Sequence, residues 1–482
     1  MRTLSTGLRN VFLWIAVLIV AYMLGILSVQ GLEPKTFGTL TVLVIITFSY
    51  IFWKKALILI VFWVMFSGVF RKWIIPEASE VIYFFNHAIL TGVYIRYFLD
   101  QAKNQKPIFL KHNAGVLILF LLSWSIACVF NPELSSIPVG LLGLIVYFYY
   151  IPLIFIIPKV FQDKKEIIKL LKLVVGFSFP ILILGIIQFY SPVDHPINSY
   201  VAEAGIALIG EYPRITSTFS YISGYATFLI ALVLILLYLI SLKDSSFKYN
   251  IFLYIVFVLC VLNILMTGSR TALFYSAFCV VMYLFLTGSL EFKLMKRFIP
   301  RIILALALIF LIFNFTSYGK KVVNAFMTRV VYEEQLERVI DLYKRPFDFI
   351  KIAGFYGYGL GTTYQGSIAL GHNPHPYYLE EVTGGYEDEP ERVMLEVGLV
   401  GFIMVYLLRL FYIYDFWGLF RKLKDIDLRN LSLILLLFQI QFVCGVNMLI
   451  FNHTSNLLYW YFIGFMFVLP QIDNKDLAEQ EN

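Results

Sequence analysis

Three basic sites stand out in a sequence that is otherwise strongly apolar. Arg214 precedes one apolar run, Ser269-Arg270 lies in a tight turn between two others, and Arg71-Lys72 ends a fourth. The planar guanidinium fork of arginine suits phosphate oxygens. A lone arginine beside an apolar run usually only anchors a helix end. The alternative chemistry for these sites is the binding of a phosphate group.

Two histidines in a polar stretch could handle a proton. His372 precedes Asn373 and follows a glycine-rich run, whereas His375 lies between two prolines. Histidine is well suited to take a proton from a hydroxyl near neutral pH, although many loop histidines are simply solvated. The run Gly357-Tyr358-Gly359-Leu360-Gly361 predicts turns rather than a nucleotide loop.

Composition identifies the class of protein. The 482 residues are 60% hydrophobic and only 14% charged, whereas an average soluble domain has about 25% charged residues. A soluble enzyme and a disordered chain are therefore excluded, and a polytopic integral membrane protein is predicted. In a membrane protein, the net charge of +7 is interpreted first as a signal of topology rather than of nucleic-acid binding. The four cysteines lie in apolar runs, outside any C-x-x-C pair or histidine cluster, so neither a disulfide framework nor a metal site is predicted.

Apolar runs on the scale of a bilayer predict an all-α bundle of about 12–14 transmembrane helices. The first run, near 11–29, is predicted to be a retained transmembrane helix rather than a cleaved signal peptide. The second and third are short and form either two helices or one re-entrant pair. The candidate runs lie near 11–29, 37–53, 56–70, 81–98, 114–130, 137–157, 167–190, 222–242, 250–267, 271–287, 300–316, 393–414, 430–450 and 455–470.

Charge distribution predicts the orientation. With the N-terminus inside, 21 lysines and arginines fall in inside segments and five in short outside loops, which favours cytoplasmic N- and C-termini. The outside five include Arg71, Lys72, Arg214 and Arg270. Since positive charge is otherwise excluded from that side, an anion is expected there. In a chain without a nucleotide motif, a lipid phosphate is the best candidate.

One long hydrophilic segment divides the chain. Residues 317–392 form an outside loop between a bundle at 1–316 and C-terminal helices with a cytoplasmic tail at 393–482. Apolar residues spaced by three and four at its start predict amphipathic helices that lie on the membrane or on the bundle. A loop of this length is usually functional.

Several short motifs occur in an order that resembles the O-antigen ligase and O-antigen polymerase superfamily of bacterial envelope glycosyltransferases. Arg71-Lys72-Trp73 also resembles a motif of polymerase-type members. The span after His372-Asn373 is longer than is usual there, which leaves His375 as a competing base. The motifs are Arg214-x-x-x-Thr218-Phe219, Ser269-Arg270, Gly357-x-Gly359-x-Gly361, His372-Asn373 and Glu396-x-Gly398-Leu399-x-Gly401.

The resemblance implies a GT-C-like, multi-pass enzyme of the bacterial inner membrane with a periplasmic active site. It would use an undecaprenyl-pyrophosphate-linked glycan as donor and a glycan or lipid-linked acceptor, and it would invert the anomeric centre without metal or cofactor. A chain-length regulator is an additional candidate partner, and nucleic acid is not. The resemblance implies catalytic roles for His372, Arg270 and Arg214, and substrate binding by Arg71, Lys72, Ser269, Asn373, His375 and Glu396.

Three functions compete. The leading one is a polymerase of lipid-linked repeat units for O-antigen, capsule or exopolysaccharide. The runner-up is an O-antigen ligase that transfers the finished glycan to the lipid A core. A flippase of lipid-linked glycans is less favoured, because transporters concentrate polar groups near the midplane and this sequence concentrates its charged exceptions at the outer surface.

Overall fold

The regular secondary structure is helical apart from one small hairpin in the residues that the structure, a computed structural model, describes. These are residues 34–107, 112–134, 136–201, 205–242, 246–288, 315–331, 335–372 and 388–481. Eight helices in these ranges are long and apolar enough to cross a membrane. They are Trp53–Ile74, Ile137–Val160, Lys164–Tyr190, Ile222–Ser241, Phe247–Met266, Arg270–Gly288, Glu389–Lys422 and His453–Lys475. The prediction of an all-α polytopic membrane protein is confirmed.

Four further predicted runs are also helical but are shorter or less apolar than these eight, and they fall on Pro34–Ile51, Phe85–Lys103, Ala114–Val129 and Ile426–Ile440. The predicted helix at 11–29, and all but the last two residues of the one at 300–316, lie outside the described residues. Twelve of the fourteen predicted runs therefore coincide with helices.

The chain divides into two compact units. The first comprises residues 1–108 and 201–204, and the second comprises 109–200 and 205–482. In the first, α4 packs against both α1 and α2, and α2 continues into a π-helical turn at Phe70–Ile74. Its helices are α1 (Pro34–Ile51), α2 (Trp53–Val69), α3 (Ser79–Tyr83) and α4 (Phe85–Lys103).

The second unit contains the remaining elements. Its helices are α5 (Ala114–Val129), α6 (Ile137–Phe148), α7 (Leu153–Val160), α8 (Lys164–Tyr190), α9 (Ile222–Ser241), α10 (Phe247–Met266), α11 (Arg270–Gly288), α12 (Ser317–Val331), α13 (Gln335–Asp348), α14 (Ile350–Ala353), α15 (Glu389–Lys422), α16 (Ile426–Ile440) and α17 (His453–Glu481). The strands β1 (Leu208–Ile209) and β2 (Tyr212–Pro213) form an antiparallel hairpin with Leu208 opposite Pro213.

Helix α9 is the centre of the second unit. Every residue from Gly224 to Ser241 is buried, which fits a helix that is hydrophobic on all sides. Helices α8, α10, α11, α16 and α17 pack around it. Because the loop that carries Arg214 runs directly into α9, this core fixes the position of one predicted site residue.

The two amphipathic helices of the long loop use their apolar faces differently. In α12 the side chains of Val322, Ala325 and Phe326 are buried, and the helix packs against α10 and β1. In α13 Tyr343 and Phe347 are more than half exposed, although Arg345 is ion-paired to Glu391 of α15 at 3.4 Å. The first helix therefore lies on the bundle, whereas the second presents an apolar face outward.

The predicted run at 430–450 is only partly helical. Helix α16 ends at Ile440, and the following segment consists of turns that include Gly445, whose φ is +66°. A buried ion pair holds this segment against α15, because Arg409 donates to Glu389 and also to the Phe442 carbonyl at 2.8 Å. This segment leads to the first residues of α17.

Candidate functional site

A hairpin places Arg214 at the end of α10. Arg214 follows β2, and its backbone N–H extends the hairpin by donating to the Ala207 carbonyl at 2.8 Å. The guanidinium then reaches away from the hairpin, and its Nε donates to the Thr267 carbonyl at 2.8 Å. The Tyr200 hydroxyl donates to the Arg214 carbonyl at 2.6 Å. Burial raises the pKa of Tyr200 to about 12, even with the Arg214 charge acting against it, so Tyr200 stays protonated and can donate.

The turn whose Thr267 carbonyl accepts the hydrogen bond from Arg214 is the same turn that leads into Arg270. Thr267 is fully buried, and Gly268 adopts a φ of +65°, which glycine allows at low cost. Ser269 caps α11, since its Oγ accepts from the Ala272 N–H at 3.4 Å. Arg270 is the first residue of α11 and is half-buried. The structure thus brings two predicted arginines to one turn, and it gives Ser269 a capping bond.

The loop after Arg214 is held in a strained conformation. Ser217 has a φ of +47°, which is uncommon outside glycine, and its side chain is fully buried. Gln188 of α8 accepts from the Ser217 N–H at 2.7 Å, and the Ser217 hydroxyl donates to the Ile181 carbonyl at 2.6 Å. Gln188 therefore positions the arginine loop. Its only signal in the sequence is an amide inside an apolar run.

The backbone of the glycine-rich run packs against the backbone of α15. Gly357, Gly359 and Gly361 all have positive φ, as does Gly398 inside α15. The Tyr358 N–H donates to the Leu395 carbonyl at 2.7 Å, where α15 departs from helical geometry. A Cβ on Gly357 would lie 2.6 Å from the Gly398 nitrogen. This confirms that the glycines serve turns and close packing.

The end of this glycine-rich run forms a turn at Thr362–Thr363 that His372 contacts. The His372 ring is buried, and its Nε2 lies 3.0 Å from the Thr362 carbonyl oxygen. The next residue, Thr363, donates from both N–H and Oγ1 to Oε1 of Glu396, at 3.0 and 2.8 Å. The structure therefore brings His372 and Glu396 to the same short turn. Asn373 and His375 lie outside the described residues.

A second polar cluster lies beside this turn and was missed from the sequence. Arg392, in the first turn of α15, donates to the Thr363 carbonyl at 3.5 Å and lies over the ring of Phe451. Asn452 donates to Ser223 Oγ at 3.0 Å, at the start of α9. These contacts link the Thr362–Thr363 turn, which His372 contacts, to the loop that follows Arg214. Arg392 stands in an acidic stretch, and only the fold shows what its side chain contacts.

Residues 255–406 match the family model described as O-antigen ligase. This stretch, which is less than half of the chain, is similar to an O-antigen ligase domain. The match confirms the resemblance to the ligase and polymerase superfamily and, together with the membrane helices, points to a membrane enzyme of the O-antigen ligase/polymerase type. A comparison with curated proteins finds no match.

The matched stretch begins within α10 and ends within α15. It contains Arg270, His372 and Glu396, whereas Arg214 lies before it and contacts it through Thr267. Within the ranges that the structure describes, no three His, Cys, Asp or Glu side chains lie close enough together to hold a metal ion.

Arg71 and Lys72 belong to the first unit. Both are buried in the π-helical turn that ends α2. The Arg71 Nε donates to both the carbonyl and the hydroxyl of Ser79, each at 3.1 Å, and its guanidinium lies 4.9 Å from the ring centre of Tyr83. Lys72 lies 4.4 Å from the ring centre of Trp73. These contacts fix the two cations within their own unit.

Proposed function

We propose that this protein polymerises undecaprenyl-pyrophosphate-linked oligosaccharide repeat units at the periplasmic face of the bacterial inner membrane. The observation that carries the proposal is the hydrogen bond from Arg214 to Thr267. It holds Arg214 on the turn that ends in Arg270, and this turn lies in the stretch that is similar to an O-antigen ligase domain. Two guanidinium groups near one turn suit a group as densely charged as pyrophosphate.

The arginines would act on the leaving group. When the bond between the sugar carbon and the pyrophosphate oxygen breaks, negative charge grows on the pyrophosphate. Arg270, with Arg214 beside it, would stabilise that charge in the transition state by hydrogen bonds and by its own charge. The reaction in this proposal is independent of metal, because the guanidinium groups supply the positive charge.

His372 would be the base. Its Nε2 faces a carbonyl oxygen, which can only accept a hydrogen bond. The Nδ1 of the neutral ring is then the atom that can take the proton from the acceptor hydroxyl. The acceptor oxygen forms a bond to the anomeric carbon from the side opposite to the pyrophosphate, which departs with the bonding electrons. One displacement of this kind inverts the anomeric centre.

The remaining predicted residues have supporting roles in this proposal. Ser269 and Asn373 would contact the substrate close to Arg270 and His372, and His375 is the competing base. Arg71 and Lys72 would bind a phosphate of a lipid-linked substrate from the first unit. A chain-length regulator is a further proposed partner of the polymerase.

The second candidate function is an O-antigen ligase, which the description of the matching family favours. The glycan profile of a deletion strain separates the two. A polymerase predicts loss of long chains while single repeat units stay attached to their lipid acceptor, and a ligase predicts loss of all attachment. A profile identical to that of the parent strain would contradict both functions.

A further inference from the structure

The carboxyl group of Glu396 is completely buried beneath the Thr362–Thr363 turn, which His372 contacts. The residue is 0% exposed, and it lies two positions before Gly398, where α15 is not helical. Oε1 accepts two hydrogen bonds from Thr363, from the N–H at 3.0 Å and from the hydroxyl at 2.8 Å. Because the side chain is fully buried, direct contact with a substrate would need this turn to move away.

One peptide group joins Glu396 to His372. The N–H of Thr363 and the carbonyl of Thr362 belong to the same planar peptide unit and point in opposite directions. The N–H donates to Glu396 Oε1 on one side, and the carbonyl accepts from His372 Nε2 at 3.0 Å on the other. The peptide plane is rigid, so a bond that fixes its N–H also fixes the direction of its carbonyl.

The carbonyl in turn selects the tautomer of the histidine. A carbonyl oxygen accepts but cannot donate, so the hydrogen must be on His372 Nε2. A neutral ring with Nε2 protonated has its lone pair on Nδ1. Hydrogen bonds in such a chain also strengthen one another.

We propose that Glu396 is a positioning residue that fixes His372 in the Nε2–H tautomer through the Thr362–Thr363 peptide group. This inference rests on the proposed function only in that His372 is taken as the base. Other bonds hold the rest of the turn. The Thr362 hydroxyl donates to the Gly359 carbonyl at 2.9 Å, and the His372 N–H donates to the Ser367 carbonyl at 3.1 Å. Glu396 is the side chain that sets the peptide plane itself.

The test is ¹⁵N NMR of the full-length protein labelled at histidine and held in lipid nanodiscs, with His372→Asn to assign the signal. The wild-type protein is expected to show His372 with Nε2 protonated. Glu396→Leu removes the acceptor and is expected to give a mixture of tautomers. Glu396→Gln retains an Oε1 acceptor and is the matched control, expected to keep the wild-type tautomer. Thr363→Val removes only the hydroxyl bond and is expected to keep it as well.

Turnover gives the second readout. Glu396→Leu is expected to lower the turnover number at least about tenfold with little change in KM for the lipid-linked substrate, since the base is affected and binding is not. If the leucine variant fails to accumulate in the membrane, Glu396→Asp tests the same point, because it shortens the reach to Thr363. It is expected to give mixed tautomers.

Three results would overturn the proposal. One is an unchanged His372 tautomer in a folded Glu396→Leu or Glu396→Asp variant. Another is an altered tautomer in Glu396→Gln, and a third is wild-type turnover in Glu396→Leu. The NMR signal requires no glycosyl transfer. A wild-type protein without transferase activity but with the expected tautomers would therefore refute the proposed function and leave the positioning role standing.

Discussion

The guanidinium of Arg214 and the carbonyl oxygen of Thr267 are joined by a 2.8 Å hydrogen bond between residues that are 53 positions apart in the chain. Thr267 begins the turn that ends in Arg270, so this bond couples the loop before α9 to the start of α11. Two cations that the sequence places in separate loops thus share one local structure.

We expect Arg270→Lys to lose most transferase activity while the protein still inserts and folds. Lysine keeps the charge but loses the planar fork that binds two oxygens at once. Arg270→Ala and Arg214→Ala should each lower turnover by about 10²-fold, the usual cost of removing one donor that stabilises transition-state charge. Arg71→Ala should be less severe. Turnover and membrane abundance are measured together.

The matched control is Arg96→Lys, which changes a partly exposed arginine paired with Asp100 in the first unit. It should leave activity within about twofold, because an exposed ion pair contributes little. Wild-type glycan lengths in an Arg270→Ala strain would rule out the pyrophosphate clamp and leave Arg270 as an anchor of a helix end.

We expect His372→Ala to abolish polymer formation in cells, whereas His375→Ala should retain clear activity. General-base catalysis accelerates transfer by roughly 10²–10⁴-fold, so loss of the true base is expected to remove nearly all activity. The measurement is the length distribution of the glycan. The reverse pattern would assign the base to His375, and full activity in both variants would exclude a histidine base in this loop.

We expect Gln188→Leu to destabilise the protein and to lower activity together. The substitution leaves the buried Ser217 N–H without its acceptor, which costs about 1–3 kcal/mol and frees the loop that carries Arg214. Thermal unfolding in detergent measures the first effect. Gln471→Leu, at an exposed position of α17, is the control. Equal unfolding temperatures of the two variants would contradict this role of Gln188.

We expect a reporter fused after residue 345 to be periplasmic and one fused near residue 424 to be cytoplasmic. The charge imbalance between the predicted inside and outside segments sets this orientation. Reporter activity in cells measures it. A cytoplasmic location of residues 317–392 would remove the mechanism, because Arg214, Arg270 and His372 would no longer share the periplasmic face.

Most of the fold could be predicted from the sequence because a bilayer imposes a simple rule. Runs of about 20 apolar residues must become helices, and most of the predicted runs did. The rule fails where polar residues and glycine interrupt a run. Helix α16 therefore stops at Ile440, although the apolar run continues towards residue 450.

The candidate site could be predicted only in part, for a physical reason. Arg214 and Arg270 are conspicuous because a charge beside an apolar run is costly. Gln188, Thr362 and Thr363 are ordinary polar residues, and their roles come from contacts with residues far along the chain. The bond from Thr363 to Glu396 spans 33 residues, and no local pattern encodes it.

Polymerase activity is tested most sharply by glycan transfer with the purified full-length protein in liposomes. The substrate is a single repeat unit on undecaprenyl pyrophosphate, offered with and without a lipid A core acceptor, and the products are resolved by length. A polymerase is expected to give a ladder of longer lipid-linked chains in the absence of lipid A, and the Arg270→Ala variant is expected to lose this ladder. Transfer to lipid A without any ladder would contradict the polymerase assignment, and no product under either condition would contradict glycosyl transfer altogether.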